Sequence, residues 1–258
     1  MLPLLLIYNC LLSINRFGIL RSAAGLAVRP RIQTMKYTES QLRAIKTIDR
    51  NLQIIACAGS GKTQVISRRI VEILRRKKTS GVGPGNIVAF TYTKKAAGEL
   101  KDRIQRLCMK ELGTDDGLAE MFVGTIYAYC LSVLQQPPVY HFLKYSALTD
   151  VRQRLLIDRN STKSGLTEVP LLKGGNLMRW QDSKLYQTLL AVLEEGGIRP
   201  RAIPRAVRGA VNKYHELLDE KKYLDYTGMV SKAVAELKSN SKLRERVKKS
   251  VRYLIVDE

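Results

Sequence analysis

A loop of small residues that ends in a lysine and a threonine is the feature that most restricts the fold of this chain. The loop consists of Ala56, Cys57, Ala58, Gly59, Ser60, Gly61, Lys62 and Thr63. Small residues let consecutive backbone N–H groups turn toward one polyphosphate, and a helix that starts directly after them adds positive potential. In this pattern Lys62 reaches the terminal phosphates and the Thr63 hydroxyl binds Mg²⁺. Ala56 stands where the usual pattern has a glycine, and a chance match in a loop that binds nothing is the alternative.

The stretches around the loop alternate between short apolar runs and longer runs with helical spacing. Residues 52–56, 86–91 and 121–125 are predicted as buried strands. Residues 64–78 and 95–110 are predicted as helices. Strands that alternate with helices predict an α/β fold with a largely parallel sheet, which places the phosphate loop between its first strand and the following helix.

Four divisions of the chain follow from its pattern. Residues 36–138 form the first part of the α/β domain. Residues 139–248 show no strand signal, and their helical runs are broken by glycines and prolines, so we interpret them as an inserted helical subdomain. Residues 249–258 return to the α/β domain with a strand. Residues 1–35 hold an apolar run, then arginines and no acid, and are interpreted as a leader or a gene-model extension outside the fold, with an organelle transit peptide as the alternative.

The last predicted strand is followed by two acids, Asp257 and Glu258. A phosphate loop needs an acid at the end of a neighbouring strand to complete its metal site. We expect Asp257 to hold Mg²⁺ through water and Glu258 to orient and deprotonate the attacking water. An apolar run followed by acids often marks only the end of a strand, but together with Lys62 it predicts nucleotide hydrolysis.

The charge of the chain indicates a polyanionic partner. Lysine and arginine number 44 against 23 aspartates and glutamates, which gives a formal net charge of +21. Nucleic acid is the first candidate, and a basic surface that serves only solubility is the alternative. A membrane surface fits less well because the charge is spread along the chain. The four cysteines have no CxxC pairing, so we expect reduced thiols in a cytosol-like compartment.

Residues 37–41 resemble the glutamine motif of UvrD-like superfamily 1 helicases, in which the amide of Gln41 would read adenine. The alternative is that Gln41 only caps the helix that starts after Thr38. Gln64 departs from the family pattern, since many relatives have an arginine there that lies against the adenine. The resemblance implies ATP with Mg²⁺ as the ligand, held by Gln41, the phosphate loop and Gln64.

Residues 89–100 are similar to the first DNA-contacting motif of the same family. The resemblance implies that Thr91 or Thr93 meets a phosphate and that Tyr92 stacks on a base. Stacking of this kind contributes about 1 to 3 kcal/mol per base in single-strand binding.

Residues 124–130 look like the next DNA-contacting motif, which implies contacts by Thr125 and Tyr127. Tyr127 stands where a histidine is common in the family. Residues 223–226 resemble a short aromatic and acidic segment of these helicases, and we interpret that segment as packing.

The resemblance covers residues 37–258 and implies a RecA-like domain that couples ATP hydrolysis to 3′–5′ movement along single-stranded DNA. It further implies repair or replication proteins as partners and a cytoplasmic, nucleoid-associated location, or an organelle or nucleus in a eukaryote. The family's motor has two RecA-like domains, so we expect an N-terminal fragment that binds ATP better than it hydrolyses it. The alternatives are an ATP- and DNA-binding module or remnant without helicase activity, and a P-loop enzyme that acts on a small molecule.

Overall fold

Two compact units make up the described part of the chain. The computed structural model describes residues 37–57, 59–76, 81–172, 174–195, 198 and 200–257. Unit 1 holds the described residues up to Tyr129 and from Glu245 onward, and unit 2 holds Cys130–Arg244. None of the helices in the described ranges has both the length and the apolar character needed to cross a membrane.

The described residues form α-helices, short 3-10 helices and short strands. The α-helices are α1 (Glu39–Lys46), α2 (Lys62–Arg75), α3 (Lys94–Leu112), α4 (Ile126–Leu134), α5 (Asp150–Arg159), α6 (Ser183–Glu195), α7 (Arg205–Lys221), α8 (Tyr226–Ser239) and α9 (Ser241–Ser250). Short 3-10 helices lie at Pro84–Asn86, Leu118–Glu120, Tyr140–Phe142, Leu166–Glu168 and Pro200–Ala202. The strands are β1 (Ile87–Thr91), β2 (Phe122–Gly124), β3 (Ser146–Ala147), β4 (Tyr223–Leu224) and β5 (Tyr253–Asp257).

Unit 1 is built on a three-stranded parallel sheet in the order β2-β1-β5. The central strand β1 is buried along its whole length because its residues are apolar up to Thr91. Helices α2 and α3 cover it with the buried side chains of a single core cluster, among them Ile70, Leu100 and Ile104. The predicted α/β fold with a parallel sheet is therefore confirmed, as are the strands predicted at 86–91 and 121–125.

One predicted strand is absent. The run at residues 52–56 was expected to be a strand buried on both faces, but residues 51–57 adopt no strand, and Ile55 is 90% exposed. A buried parallel strand needs a neighbour for its backbone hydrogen bonds and a cover on each face. Among the described strands none pairs with this run, so the prediction is wrong for the described structure. The phosphate loop is therefore entered from irregular backbone.

Unit 2 is mostly helical around its own core. Tyr186 and Tyr214 are fully buried in that core, and their rings meet edge to face with centroids 6.4 Å apart. The sequence pattern missed two short strands in this unit, β3 and β4, which pair in parallel. Two-residue strands are too short to produce a hydrophobic period, which explains why the pattern did not reveal them.

The segment interpreted as packing, residues 223–226, lies at the centre of unit 2. Asp225 is 5% exposed and caps α8 by accepting a hydrogen bond from Gly228 N at 2.8 Å. Its other carboxylate oxygen accepts from the Tyr214 hydroxyl at 2.6 Å. Burial raises the pKa of Asp225, and these hydrogen bonds oppose the shift. The contacts confirm the interpretation of this segment as packing.

Candidate functional site

The phosphate loop takes the backbone form that its glycines allow. Gly59 and Gly61 have φ angles of 78° and 85°, in the left-handed region that other residues adopt only at a cost. Gly61 is the N-cap residue of α2, and the helix begins at Lys62. The first backbone N–H groups of a helix lack partners within it, so this end of α2 offers donors and positive potential to an anion. Ala58 lies outside the described residues.

The lysine of the loop is held by the loop itself. Lys62 Nζ donates to the carbonyl oxygen of Ala56 at 3.1 Å, and Ser60 N donates to the carbonyl of Cys57 at 3.3 Å. The Cys57 thiol is free and exposed. Thr63 is half-buried on the first turn of α2. A phosphate oxygen is a stronger acceptor for an ammonium than a neutral carbonyl, so Lys62 can exchange Ala56 for a phosphate.

Gln41 connects α1 to the phosphate loop. It forms a capping box with Thr38, in which Gln41 Oε1 accepts from Thr38 N at 2.9 Å, and Gln41 N donates to Thr38 Oγ1 at 3.3 Å. The structure therefore shows that Gln41 caps α1, and it does not test whether capping is its only role. The same side chain donates through Nε2 to the carbonyl of Ser60 at 3.1 Å, which ties the cap of α1 to the loop. The expected contact of Gln41 with adenine stays a prediction.

Gln64 occupies the centre of a small polar network that sequence reasoning did not identify. Its Nε2 donates to the Tyr37 hydroxyl at 3.1 Å, and Arg103 Nη1 donates to its Oε1 at 3.3 Å. The Arg68 guanidinium lies 5.9 Å from the centroid of the Tyr37 ring. The only signal for Arg103 is its place beside Ile104 on the buried face of α3. The arginine side chain is long enough to reach α2 from the edge of that buried face.

Arg69 fixes α1 against α2, and no motif marks it. Its Nη1 donates to the carbonyls of Ala44 and Thr47 at the end of α1. Burial lowers the pKa of Arg69 from its ordinary value, because withdrawal from water disfavours the charged guanidinium. Because α1 carries Gln41, Arg69 helps to set the position of the Gln41 amide beside the loop.

The acid at the end of β5 lies at the same edge of the sheet as the first DNA-contacting motif. Asp257 is 8% exposed and is in register with Thr91 of β1. The carboxyl ends of parallel strands meet at one edge, where open α/β sheets bind their ligands. Helix α2, which begins at Lys62, contacts β5. Glu258 lies outside the described residues, and the joint grip of Lys62 and Asp257 on one magnesium-bound nucleotide stays a prediction.

Tyr92 is the accessible member of the first DNA-contacting motif, with 78% of its surface exposed. Thr91 is buried, and its hydroxyl donates to the carbonyl of Thr93 at 3.0 Å. Thr93 is exposed and caps α3 by accepting from Ala96 N at 3.0 Å. Of the two threonines proposed to meet phosphate, Thr93 is therefore the one that solvent reaches.

The second DNA-contacting motif follows β2. Thr125 Oγ1 accepts from Ala128 N at 3.3 Å at the start of α4, and Tyr127 is half-buried. Behind both motifs lies an aromatic cluster, in which the Tyr129 ring is 5.3 Å from Phe90 and 5.1 Å from Phe122, measured between centroids. The cluster joins β1, β2 and α4, so it supports the segments that present Tyr92 and Thr125.

In the described ranges, no group of three or more histidines, cysteines, aspartates and glutamates lies close enough together to bind a metal ion. A magnesium ion that is held by one hydroxyl, one carboxylate and nucleotide phosphates does not need such a group.

Comparison with known proteins gives a consistent result. The family model of the UvrD/REP helicase N-terminal domain matches residues 37–258. The chain is 26% identical over 215 residues to the ATP-dependent DNA helicase UvrD1 of Mycobacterium tuberculosis, which covers 80% of this chain and 26% of that protein. It is 28% identical over 193 residues to the ATP-dependent DNA helicase PcrA of Staphylococcus aureus, covering 74% of this chain and 23% of that protein.

A probable DNA helicase II homologue of Mycoplasma capricolum is 27% identical over 231 residues, covering 85% of this chain and 30% of the relative. The chain thus spans 23% to 30% of the length of these three relatives. Since the family model matches most of the chain, residues 37–258, this chain belongs to the UvrD/Rep helicase family, in its N-terminal domain.

Proposed function

We propose that this chain provides the ATP-binding part of a DNA helicase, in which ATP hydrolysis drives 3′–5′ movement along single-stranded DNA. The observation that supports it most directly is the phosphate loop, with two glycines in the left-handed region and a lysine at the first position of α2. The relatives are named as ATP-dependent DNA helicases, and the proposal extends that activity to this chain.

The residues present fit a magnesium nucleotide by their chemistry. Lys62 supplies a cation for the terminal phosphates, and Thr63 and Asp257 supply the hard oxygen ligands that Mg²⁺ prefers. Gly59 and Gly61 supply backbone donors without the obstruction of a side chain. When bound, Mg²⁺ neutralises charge on the phosphates.

The chain's own residues then have distinct tasks. With a nucleotide bound, Lys62 would leave the carbonyl of Ala56 to hold the phosphates, and Asp257 would hold Mg²⁺ through water. Glu258 accepts a proton from the attacking water. Gln41 is already fixed to the loop through Ser60, and we propose that its amide faces the adenine.

DNA contacts are proposed for the edge of the sheet that carries Tyr92. Its exposed ring offers a stacking surface for a base, and Thr93 and Thr125 offer hydroxyl groups to phosphates. Tyr127 is proposed as a further contact. The net charge of +21 supports this assignment because a polyanion is the natural partner of so basic a chain. A compartment that contains DNA, such as the bacterial cytoplasm, is the proposed location.

The experiment that tests the nucleotide site compares Lys62→Ala with Lys101→Ala, a control on the exposed side of α3. Binding of a fluorescent ATP analogue with Mg²⁺ is measured by titration. Loss of a charge-assisted hydrogen bond is expected to weaken binding about 10- to 100-fold for Lys62→Ala and to leave the control unchanged. Equal affinity of the two variants would refute the proposed site.

DNA binding and movement need separate tests. Binding to an oligonucleotide should weaken with salt with a log-log slope of about −0.7 for each neutralised phosphate, and a flat response would contradict the DNA assignment. A strand-displacement assay on a protein of the relatives' full length, with 3′ and 5′ overhangs, tests the direction of movement. Binding of both ATP and DNA without displacement of either substrate would indicate a binding module in place of a motor.

A further inference from the structure

A hydrogen-bonded turn in unit 2, Met178–Asp182, presents the single tryptophan of the chain to solvent. Two hydrogen bonds close the turn: Asp182 N donates to the carbonyl of Met178 at 3.0 Å, and Met178 N donates to Asp182 Oδ2 at 2.7 Å. Trp180 lies between them with 57% of its surface exposed. The turn is named here the Trp180 turn.

The backbone of Trp180 is in a conformation that a bulky residue rarely adopts. Its φ angle is 68°, in the left-handed region where the Cβ atom of an L-residue crowds the backbone. The buried carboxylate of Asp158, 5% exposed on α5, holds this conformation by accepting a hydrogen bond from Trp180 N at 2.8 Å. Glycine would fit this position without strain.

Packing does not explain the strained tryptophan, because more than half of its surface remains exposed. A strained backbone is kept where the surrounding structure enforces it, and such positions cluster at binding sites. An exposed aromatic ring also forgoes the free energy that burial would supply. The backbone strain and the exposed ring both destabilise the fold at Trp180, and the buried carboxylate of Asp158 holds its backbone in place. This combination indicates that the ring is presented to a partner.

Trp180 lies beside an arginine on a unit that is basic overall, while the carboxylates of Asp158 and Asp182 form the hydrogen bonds of the turn. The Arg179 guanidinium lies 5.0 Å from the centroid of the Trp180 ring. Lys184 follows at the start of α6. Unit 2 as a whole contains 19 lysines and arginines against 11 aspartates and glutamates between residues 130 and 244. An exposed ring beside an arginine on a basic unit is the arrangement that binds single-stranded nucleic acid, where the ring stacks on a base and the cation meets a phosphate.

We infer that the Trp180 turn is a single-stranded DNA contact, in which a base stacks on Trp180 and a phosphate binds Arg179. The inference rests on the proposed function only for the identity of the partner. It adds a contact in unit 2 to those proposed for Tyr92 and Thr125 in unit 1. The base can be any of the four, because every base has a face that stacks.

The single tryptophan gives this inference a direct reporter. An oligothymidylate labelled with a dye for anisotropy is titrated into the full chain at low salt, and tryptophan fluorescence is recorded in parallel. Stacking on Trp180 is expected to quench its emission and to protect it from acrylamide, with the same midpoint as the anisotropy. Binding by anisotropy with unchanged emission and unchanged acrylamide quenching would overturn the inference, would leave the proposed function standing, and would indicate a protein partner for the ring. Absence of binding by anisotropy would refute the DNA assignment as a whole, and the Trp180 contact with it.

Substitutions separate a binding role from a structural one. Trp180→Gly removes the ring and relieves the backbone, so the thermal midpoint is expected to hold or rise while DNA affinity falls about 5- to 100-fold. Trp180→Phe keeps a ring and is expected to lose less affinity. Tyr140→Ala is the matched control, since Tyr140 is an aromatic residue of unit 2 with 58% of its surface exposed. Unchanged affinity in Trp180→Gly, or an equal loss in Tyr140→Ala, would refute the assignment.

Discussion

Among the described glycines of unit 2, Gly165 is the one where substitution by alanine is expected to lower the free energy of unfolding most. It has a φ angle of +79°, and a Cβ atom there would lie 2.5 Å from both Cα and O of Ala210 on α7. These are backbone atoms, so a side-chain rotation cannot relieve the overlap. The Tyr186 hydroxyl donates to the carbonyls of Ser164 and Ala210, so a shift of α7 would also disturb these hydrogen bonds.

The expected cost of Gly165→Ala has two parts. Alanine in the left-handed region costs about 1 kcal/mol relative to glycine. Insertion of a methyl group into a filled space costs about 1 to 3 kcal/mol. Gly175→Ala provides the matched control, because Gly175 has a φ angle of +78° and no atom within 4 Å of the added Cβ. The control should therefore lose about 1 kcal/mol, and Gly165→Ala about 2 to 4 kcal/mol.

Urea denaturation of both variants, followed by far-UV circular dichroism, measures the two free energies of unfolding. Hydrogen exchange of α7 and of the core around Tyr186 shows whether the loss lies in unit 2. The difference between the variants measures the cost of crowding, since their φ angles are nearly identical. If Gly165→Ala lost no more stability than Gly175→Ala, the predicted crowding between residue 165 and α7 would be refuted.

Three further changes test contacts that the structure assigns. Tyr214→Phe should destabilise unit 2 by about 1.5 to 3 kcal/mol in urea denaturation, because the buried Asp225 carboxylate loses the hydroxyl that donates to it at 2.6 Å. The hydrogen bond with Glu194 raises the pKa of His215, so this pair stabilises the fold below the ordinary histidine pKa of about 6.5, and the contribution is lost as pH rises through the raised value. The thermal midpoint of Glu194→Gln should therefore lie below that of the parent at about pH 6 and approach it at about pH 9. A difference that stays the same at both pH values would contradict this assignment. Thr38→Ala should cost about 0.5 to 2 kcal/mol of stability in α1, measured as faster hydrogen exchange of that helix, because it removes the capping box.

The elements that the sequence predicts correctly are those with a strong local signal. An unbroken apolar run predicts strand β1. Apolar residues at helical spacing, such as Leu100 and Ile104, predict helix α3. The run at residues 52–56 has the same apolar character, with Ile54 and Ile55 adjacent, but it forms no strand. An apolar composition indicates that a segment can be buried. Whether the segment forms a strand depends on a neighbouring strand that can pair with its backbone.

The candidate site divides in the same way. Gly59, Gly61 and Lys62 follow each other in the chain, so their spacing alone predicts a loop that leads into a helix, and the loop has that form. Contacts between distant positions leave no such signal. Arg103 reaches Gln64 across two helices, and the left-handed backbone of Trp180 depends on a carboxylate 22 residues earlier in the chain. Neither contact leaves a signal in the sequence.

The sheet register supplies the link between motifs that lie far apart in the sequence. Thr91 pairs with Asp257, and Phe90 pairs with Gly124, so the first DNA-contacting motif lies between the terminal acid and the second DNA-contacting motif. A ligand that displaces Asp257 or changes its charge therefore acts on the strand next to the one that presents Tyr92. Because β1 is buried along its whole length, it is expected to transmit such a change as a shift of the strand as one piece. For the proposed nucleotide and DNA sites, β1 is thus a physical route by which binding at one site can affect the other.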